Sequence, residues 1–170
     1  RSTDPDHAAA LYELTQAMTG AAGLPAYEIS NHARPGEESR HNLAYWRYRN
    51  YLGVGPGAHG RRGGVATQRH KKPENWLSGL DRNGQGIAET TPIDPGEAAV
   101  EALLMGLRLR EGVDCDRIER LANRPFDTLV NSGAVSRLAD QGLMTRQDNR
   151  LRATGAGMLL LDAILAEIVR

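Results

Sequence analysis

The sequence predicts a mixed α/β protein in which an α/β region is followed by a small, mainly helical domain. Near the start, a helical pattern is followed at once by a short buried strand, which is the order that an α/β barrel repeats. Beyond residue 92, patterns for three helices precede a hairpin, which together make a winged-helix-like arrangement. We therefore predict two domains, residues 1–91 and residues 92–170.

The first region is predicted to begin with a helix and to continue through two short strands. Asp4 is a favoured N-cap, Pro5 fits the first helical position, and apolar residues recur at helical spacing as far as two closing glycines. Residues 24–29 and 51–55 have the composition of short buried strands, and the polar segment 31–46 between them predicts a loop. Because α/β barrels build their sites in such loops, we expect the functional residues there.

The most basic stretch of the chain, residues 61–72, follows the second predicted strand. We interpret it as a solvated hairpin, and the alternative is a positive rim that steers an anionic ligand or a partner protein. RNA binding is a weaker explanation because no aromatic residues alternate with these charges. A short helix from Pro73 to about Leu80 is expected next, with Trp76 as a packing anchor.

The second region opens with a strong helix start. Asp94 can cap the helix, Pro95 fits its first position, and Glu97 completes a capping box. The predicted elements are helices over about residues 95–108, from Asp114 and over about 127–140, a hairpin within 143–153, and a final helix capped by Thr154.

This winged-helix-like pattern raises DNA binding as an alternative function. Insertion into a groove requires Lys and Arg to neutralise phosphates, yet the third helix carries Asp127 and Asp140 against Arg137. The three arginines of the hairpin, opposed by one aspartate, keep this alternative open. We favour a packing or interaction domain.

Charge and composition exclude several other classes. Lys and Arg number 21 and so do Asp and Glu, so the formal net charge is zero and no general attraction to nucleic acid or acidic membranes is expected. A single cysteine argues against a disulfide framework. The sequence shows no secretory apolar region and no run long enough to span a bilayer, so we predict a cytoplasmic protein; its oligomeric state is not readable.

The chemistry is expected in two neighbouring segments, residues 39–46 and 52–60, which combine two histidines, several aromatic side chains and a run of glycines. His41 offers a nitrogen lone pair to a metal such as iron, aromatic rings can cover a flat π-system, and arginines suit carboxylate or phosphate groups. Judged on the residues alone, a hydrogen-bonded structural histidine is the commoner explanation. The same two explanations stand for His59, which either contacts a ligand or hydrogen-bonds within the fold.

Residues 55–60 also satisfy the dinucleotide pattern GxGxxG. A dinucleotide site needs a helix directly after the glycines, but two arginines and two further glycines follow here, and Pro56 removes one of the backbone amides. We interpret the glycines instead as permitting a close approach of backbone to a ligand, or a tight turn.

The order of these segments resembles a known family. Residues 27–31, 40–46 and 52–60 are similar to the radical S-adenosylmethionine (SAM) family around oxygen-independent coproporphyrinogen III oxidase. Within that family, the HNxxYW pattern of residues 41–46 is similar to the HemW-type haem-chaperone branch.

The resemblance implies the role of His41, and the roles of its neighbours are inferred from side-chain chemistry. His41 would be the ligand of the haem iron. Tyr45 and Trp46 would shape or cover the porphyrin site. Asn42 would orient His41 through a hydrogen bond, and Arg40 would meet a propionate.

Similarity extends over nearly the whole chain, since residues 101–113 resemble the opening of the family's carboxy-terminal domain. The chain departs from the family in lacking the CxxxCxxC motif, because its only cysteine is Cys115. The resemblance therefore implies the carboxy-terminal part of a longer protein. SAM and a 4Fe-4S cluster would be cofactors of that complete protein only, and this chain alone would form no radical.

The same resemblance refines the fold prediction. Residues 1 to about 60 would form the last elements of a partial (β/α) barrel, followed by the winged-helix-like domain. The backbone over residues 54–59, including Gly55, Gly57 and His59, would lie near the SAM pocket of the complete protein.

The function that the resemblance implies is binding of haem and its transfer to acceptor proteins. The alternative within the family is oxygen-independent coproporphyrinogen III oxidation, in which two propionates are decarboxylated by radical chemistry during haem synthesis. The HNxxYW pattern argues against this alternative. Whether the complete protein is an enzyme stays open.

Overall fold

A computed structural model describes residues 4–169 of the chain. It contains helices and strands in a mixed order, and the strands form two separate antiparallel sheets. The elements are α1 (Pro5–Ala21), α2 (Arg40–Trp46), β1 (His59–Arg62), β2 (Val65–Arg69), α3 (Pro73–Asn83), β3 (Ile87–Pro92), α4 (Pro95–Gly106), β4 (Val113–Asp114), α5 (Cys115–Ala122), α6 (Phe126–Leu129), α7 (Ser132–Asp140), β5 (Met144–Gln147), β6 (Arg150–Ala153), α8 (Gly155–Met158) and α9 (Leu161–Ile168).

The first helix is confirmed, with Asp4 as its N-cap and Pro5 at its first turn. None of its residues is buried, however, and Leu14 and Met18 are 55% and 64% exposed. The strand predicted over residues 24–29 is wrong, because only two isolated bridges form there. All strand pairs among residues 4–169 are antiparallel.

The loop predicted over residues 31–46 is also wrong in its last part. Residues 40–46 form α2, and the Ser39 hydroxyl accepts a hydrogen bond from the backbone N–H of Asn42 at 3.3 Å. Ser39 is a good N-cap, and the good helix formers Leu43 and Ala44 stand within the segment, so a helix begins once Pro35 and Gly36 have been passed. The HNxxYW pattern is therefore helical.

The predicted hairpin is confirmed as β1 and β2, joined by Gly63 and Gly64, which both have positive φ. It is not solvated throughout, because Arg61 is buried. A third strand, β3, was not predicted and completes the sheet in the order β1-β2-β3. The strand predicted over residues 51–55 is reduced to a single bridge between Tyr51 and Arg61. Helix α3 spans the β2–β3 connection as expected, and the Trp76 ring lies directly over Gly86.

The second region follows the predicted order with two corrections. The single helix predicted over 127–140 is divided into α6 and α7, because Val130 pairs with Val169 and the Asn131 side chain caps α7 by accepting from the Ala134 N–H. The final helix is likewise divided into α8 and α9. The predicted hairpin is confirmed as β5 and β6, and the short β4 pairs with β6 to give the order β4-β6-β5.

The hydrophobic core belongs almost entirely to this second region. Its buried side chains come from α4 to α9 and the second sheet. Among residues 4–90, only Tyr48 belongs to it. Leu103, Ile118 and Leu151 are 1% exposed or less. No helix in residues 4–169 is both long and apolar enough to cross a membrane.

Candidate functional site

The HNxxYW pattern places His41 and Tyr45 on the same face of α2. They are four residues apart, which is one helical turn, and their ring centroids are 4.8 Å apart. Tyr45 in turn contacts Tyr51, with 4.5 Å between the ring centroids. His41 is exposed, and within residues 4–169 its imidazole has no hydrogen-bond partner.

This row of rings continues into a buried charged cluster. The Arg61 guanidinium lies 5.5 Å from the Tyr51 ring centroid and 3.3 Å above the Tyr48 ring, and Arg61 is only 9% exposed. The Tyr48 hydroxyl donates to the Glu101 carboxylate on α4 at 2.6 Å. Burial and this hydrogen bond raise the pKa of Tyr48 to about 12. The row therefore connects exposed His41 to α4 through Glu101, whose side chain is 52% exposed.

Asn42 and Trp46 face a different side of α2. The Asn42 side-chain amide donates to the Tyr27 hydroxyl at 3.2 Å, and the Arg108 guanidinium lies 4.9 Å from the Trp46 ring centroid. Asn42 thus holds Tyr27 and makes no hydrogen bond to His41. The four residues of the pattern therefore lie on two faces of α2, one accessible and one packed against the rest of the protein.

His41 also lines a cavity of about 460 Å³ beside α2. Arg40, Arg47 and Arg49 contribute to the same cavity. Arg47 is fixed by Glu111, whose two carboxylate oxygens accept from its Nε and Nη2 at 2.7 and 2.8 Å. This hydrogen-bonded pair lowers the pKa of Glu111. Arg40 and Arg49 are exposed, so they can meet an acidic ligand at the rim.

The second predicted group, Gly55, Gly57 and His59, lies outside this cavity. Both glycines have positive φ, and the Gly57 N–H donates to the His70 carbonyl at 2.8 Å. His59 begins β1, and its Nε2 lies 3.4 Å from the Gln68 amide nitrogen. A strand follows the glycines instead of a helix, which excludes the dinucleotide site. His59 lines a cavity between the first sheet and α4, so the structure does not bring His41 and His59 together.

The residues present do not fit an iron–sulfur cluster. The only cysteine, Cys115, is buried, and burial raises the pKa of its thiol. Three or more His, Cys, Asp and Glu side chains that could together hold a metal ion are not found within residues 4–169. What α2 does offer is a single accessible imidazole, which suits one axial position of an iron that a porphyrin already holds.

Sequence reasoning missed Tyr48, Arg61 and Glu101 as a unit. They come from three elements far apart in the chain, so no local pattern joins them. The pairing of His41 with Tyr45 could have been found, because their spacing is helical and Ser39 is a recognisable N-cap.

Comparisons with known proteins agree with this architecture. A sequence model described as the HemN C-terminal domain matches residues 93–160. "Radical S-adenosyl methionine domain-containing protein 1, mitochondrial" from Bos taurus is 34% identical over 176 residues, covering 98% of this chain and 40% of that protein. "Heme chaperone HemW" from Bacillus subtilis is 34% identical over 152 residues, covering 89% of this chain and 40% of that protein.

A solved structure shows the same fold. Coproporphyrinogen III oxidase (HemN) from Escherichia coli, described as a radical SAM enzyme, superposes with a TM-score of 0.66 at 18% identity, covering 96% of this chain and 41% of that one. The chain therefore spans about two fifths of the length of the proteins that it matches.

Proposed function

The chain belongs to the HemW-type radical SAM family, whose carboxy-terminal portion it matches, and from this we propose that it binds haem as cargo for transfer to acceptor proteins. The observation that carries the proposal is the accessible imidazole of His41 at the open end of the aromatic row. It lines a cavity of about 460 Å³ together with Arg40 and Arg49. A neutral imidazole is a common axial ligand of haem iron.

Each neighbour of His41 has a distinct role in this proposal. Tyr45 packs against the imidazole and fixes its orientation, and Tyr51 supports Tyr45 in turn. The exposed guanidinium group of Arg40 pairs with a propionate. Asn42 and Trp46 act indirectly. Asn42 hydrogen-bonds to Tyr27 and Trp46 packs beside Arg108, and together these contacts fix the orientation of α2 relative to the rest of the protein. A fixed angle would aim His41 at one side of the porphyrin.

Two finer features of the fold belong to the proposal. Residues 1 to about 60 would be the last piece of a partial barrel, which agrees with the exposed apolar side chains of Leu14, Met18 and Val54, the last of which is 85% exposed. Residues 92–170 would be a winged-helix-like domain, since α4, α5 and α7 accompany the β4-β6-β5 sheet. The proposed boundary between residues 91 and 92 would fall before the last residue of β3, close to the start of α4.

SAM and a 4Fe-4S cluster would be cofactors of the complete protein only. Gly55 and Gly57 would border the SAM pocket, because glycines with positive φ leave the backbone open to a ligand. A cytoplasmic location remains a prediction, since relatives named as mitochondrial also match. Haem-acceptor proteins remain the proposed partners.

Two of the three arginines of the hairpin, Arg146 and Arg150, already donate to groups of the protein itself, which disfavours DNA binding through them. Arg146 pairs with Asp127 at 2.6 Å. Arg150 donates from Nε and Nη2 to the backbone carbonyls of Glu111 and Gly112 at 2.8 and 3.1 Å. Donors engaged within the protein are not free to neutralise phosphates.

The test is an absorbance titration of haem into the chain. Wild type should give a shifted Soret band that saturates, and His41→Ala should lose it while retaining its far-ultraviolet circular dichroism. His7→Ala is the matched control, because His7 is exposed on α1 and should leave the band unchanged. A His41→Ala spectrum identical to wild type would remove His41 from the site. Conversion of coproporphyrinogen to protoporphyrinogen by the complete protein would favour the oxidase alternative.

A further inference from the structure

A second cavity, of about 310 Å³, lies between the end of α2 and the segment that joins α4 to α5. Its charged lining consists of four guanidinium groups and two carboxylates, so its net charge is positive. A partly enclosed volume of this size suits a small ligand. The charged residues are Arg47, Arg49, Arg117, Arg150, Glu111 and Asp114.

Both carboxylates of this cavity are already engaged. Glu111 accepts from Arg47 in a bidentate pair, and its Oε1 is 3.8 Å from Arg150 Nη2. Asp114 caps α5 by accepting from the backbone N–H of Arg117 at 2.9 Å. Since Arg150 also donates to two backbone carbonyls, Arg47 and Arg150 are fixed by the protein itself.

Arg49 and Arg117 are different, because they retain unused donors. Arg117 makes one side-chain hydrogen bond, from Nη2 to the Tyr48 carbonyl at 3.0 Å. Its Nε and Nη1 have no acceptor among residues 4–169, and the Arg49 guanidinium has neither an acceptor nor an ion-pair partner in the same range. An arginine has five N–H donors in a fixed fork, so most of this hydrogen-bonding capacity is open.

The charge environment of Arg117 favours binding of an anion beside it. Its side chain is partly buried, and burial followed by the positive charge of Arg49 lowers the pKa of Arg117. Two like charges that share a partly desolvated space repel each other, and an anion between them would convert that repulsion into attraction.

We propose that Arg49 and Arg117 bind a small dianionic oxyanion, either a phosphate or a dicarboxylate, in this cavity. Planar guanidinium forks match both chemistries with paired hydrogen bonds. Because Arg49 follows α2 and Arg117 lies on α5, the anion would join the segment carrying His41 to the carboxy-terminal core. Arg47 and Arg49 line both this cavity and the cavity of His41, whereas Arg117 lines only this one, so Arg117 is the residue that distinguishes this site from the haem site.

The experiment measures anion binding by calorimetry and by the thermal midpoint of the chain at constant ionic strength. Inorganic phosphate and succinate are titrated in parallel, with chloride as the reference. We expect saturable binding of one or both and a rise in the midpoint that chloride does not give. Binding of phosphate alone identifies a phosphoryl group as the ligand, and binding of succinate alone identifies a dicarboxylate.

Two substitutions localise the effect. Arg117→Gln should weaken binding at least about tenfold, since it removes charge-assisted hydrogen bonds. Arg120→Gln removes the same charge from the exposed side of the same helix and should change the affinity by less than about twofold. Should Arg117→Gln fail to fold, Arg49→Gln replaces it, because Arg49 is exposed.

Absence of saturable binding, or equal loss in Arg117→Gln and Arg120→Gln, would overturn the proposal. The haem titration keeps the two proposals apart. Arg117→Gln should retain the Soret shift of wild type, whereas His41→Ala should retain phosphate or succinate binding.

Discussion

The two ends of this chain are stabilised in different ways. Residues 93–169 bury an almost continuous apolar core, in which Leu103, Val130 and Ile168 have no exposed surface. Residues 4–57 contain a well-capped helix with no buried residue and several largely exposed apolar side chains. The carboxy-terminal part therefore has its own folding energy, while the amino-terminal part is attached mainly through polar contacts.

This difference explains how the candidate site is held. Helix α2 carries His41, and the core beneath it is reached through two polar connections: the stack of Arg61 on Tyr48 next to Glu101, and the pair of Arg47 with Glu111. Such contacts are directional but individually modest, so the site is positioned precisely without being deeply stabilised.

The largest expected effect comes from comparing two leucine truncations. Leu103→Ala, in α4, should reduce the free energy of unfolding by about 2–5 kcal/mol, because it leaves a cavity in the core. Leu14→Ala removes the same atoms from exposed α1 and should change it by no more than about 0.5 kcal/mol. Urea denaturation measures both values. Equal losses in the two variants would show that α1 is packed as tightly as α4.

A smaller effect is expected at the connection between the first sheet and the core. Arg61→Met should cost about 1–3 kcal/mol, because it removes the stack on Tyr48 and a hydrogen bond to the Arg49 carbonyl. Arg61→Lys should restore little of this, since an ammonium group lacks the planar face. Arg62→Met, at an exposed position of the same strand, is the control. If Arg61→Met and Arg62→Met have the same stability, the stack does not join the two parts.

The smallest effect is a pH dependence of the Arg47–Glu111 pair. The pKa of Glu111 is lowered in the folded chain by its hydrogen bond to Arg47, so the pair stabilises the fold above the unfolded pKa, near 4.5, and this contribution is lost as pH falls through the lower folded value. Because both side chains are about one third exposed, the contribution is no more than about 1 kcal/mol.

Arg47→Met tests this dependence. The variant should be less stable than wild type at pH 7, and the difference should shrink toward pH 3 in denaturation experiments. Arg34→Met, whose partner Glu37 is 65% exposed, should show no such change. A difference between Arg47→Met and wild type that stays constant from pH 7 to pH 3 would contradict the assignment.

Elements with local signals were predictable from the sequence. Asp4, Asp94 and Asp114 cap their helices as expected, because an N-cap depends only on the next few residues. The predictions were wrong where residues far apart in the sequence determine the secondary structure. The break between α6 and α7 depends on the pairing of Val130 with Val169, about 40 positions away, which no local window contains.

The candidate site was predictable in part. The HNxxYW pattern drew attention to the segment of the candidate site, whose role stays a prediction, but its interpretation as a loop concealed that His41 and Tyr45 share a face while Asn42 and Trp46 pack elsewhere. The partners of the site, Arg61 and Glu101, were missed because only the tertiary fold brings a strand and a helix from the two regions together.

The packing of Trp76 over Gly86 has an optical consequence. A β-carbon at position 86 would overlap the indole ring of Trp76, so this tryptophan is packed tightly against the start of β3. The chain's other tryptophan, Trp46, lies beside Arg108 at the end of α2. With Trp46 replaced by Phe, the fluorescence emission of the chain reports on the β1-β2-β3 sheet, and with Trp76 replaced it reports on the helix that carries His41. The molecule thus contains two built-in probes that allow loosening of its two parts to be observed separately.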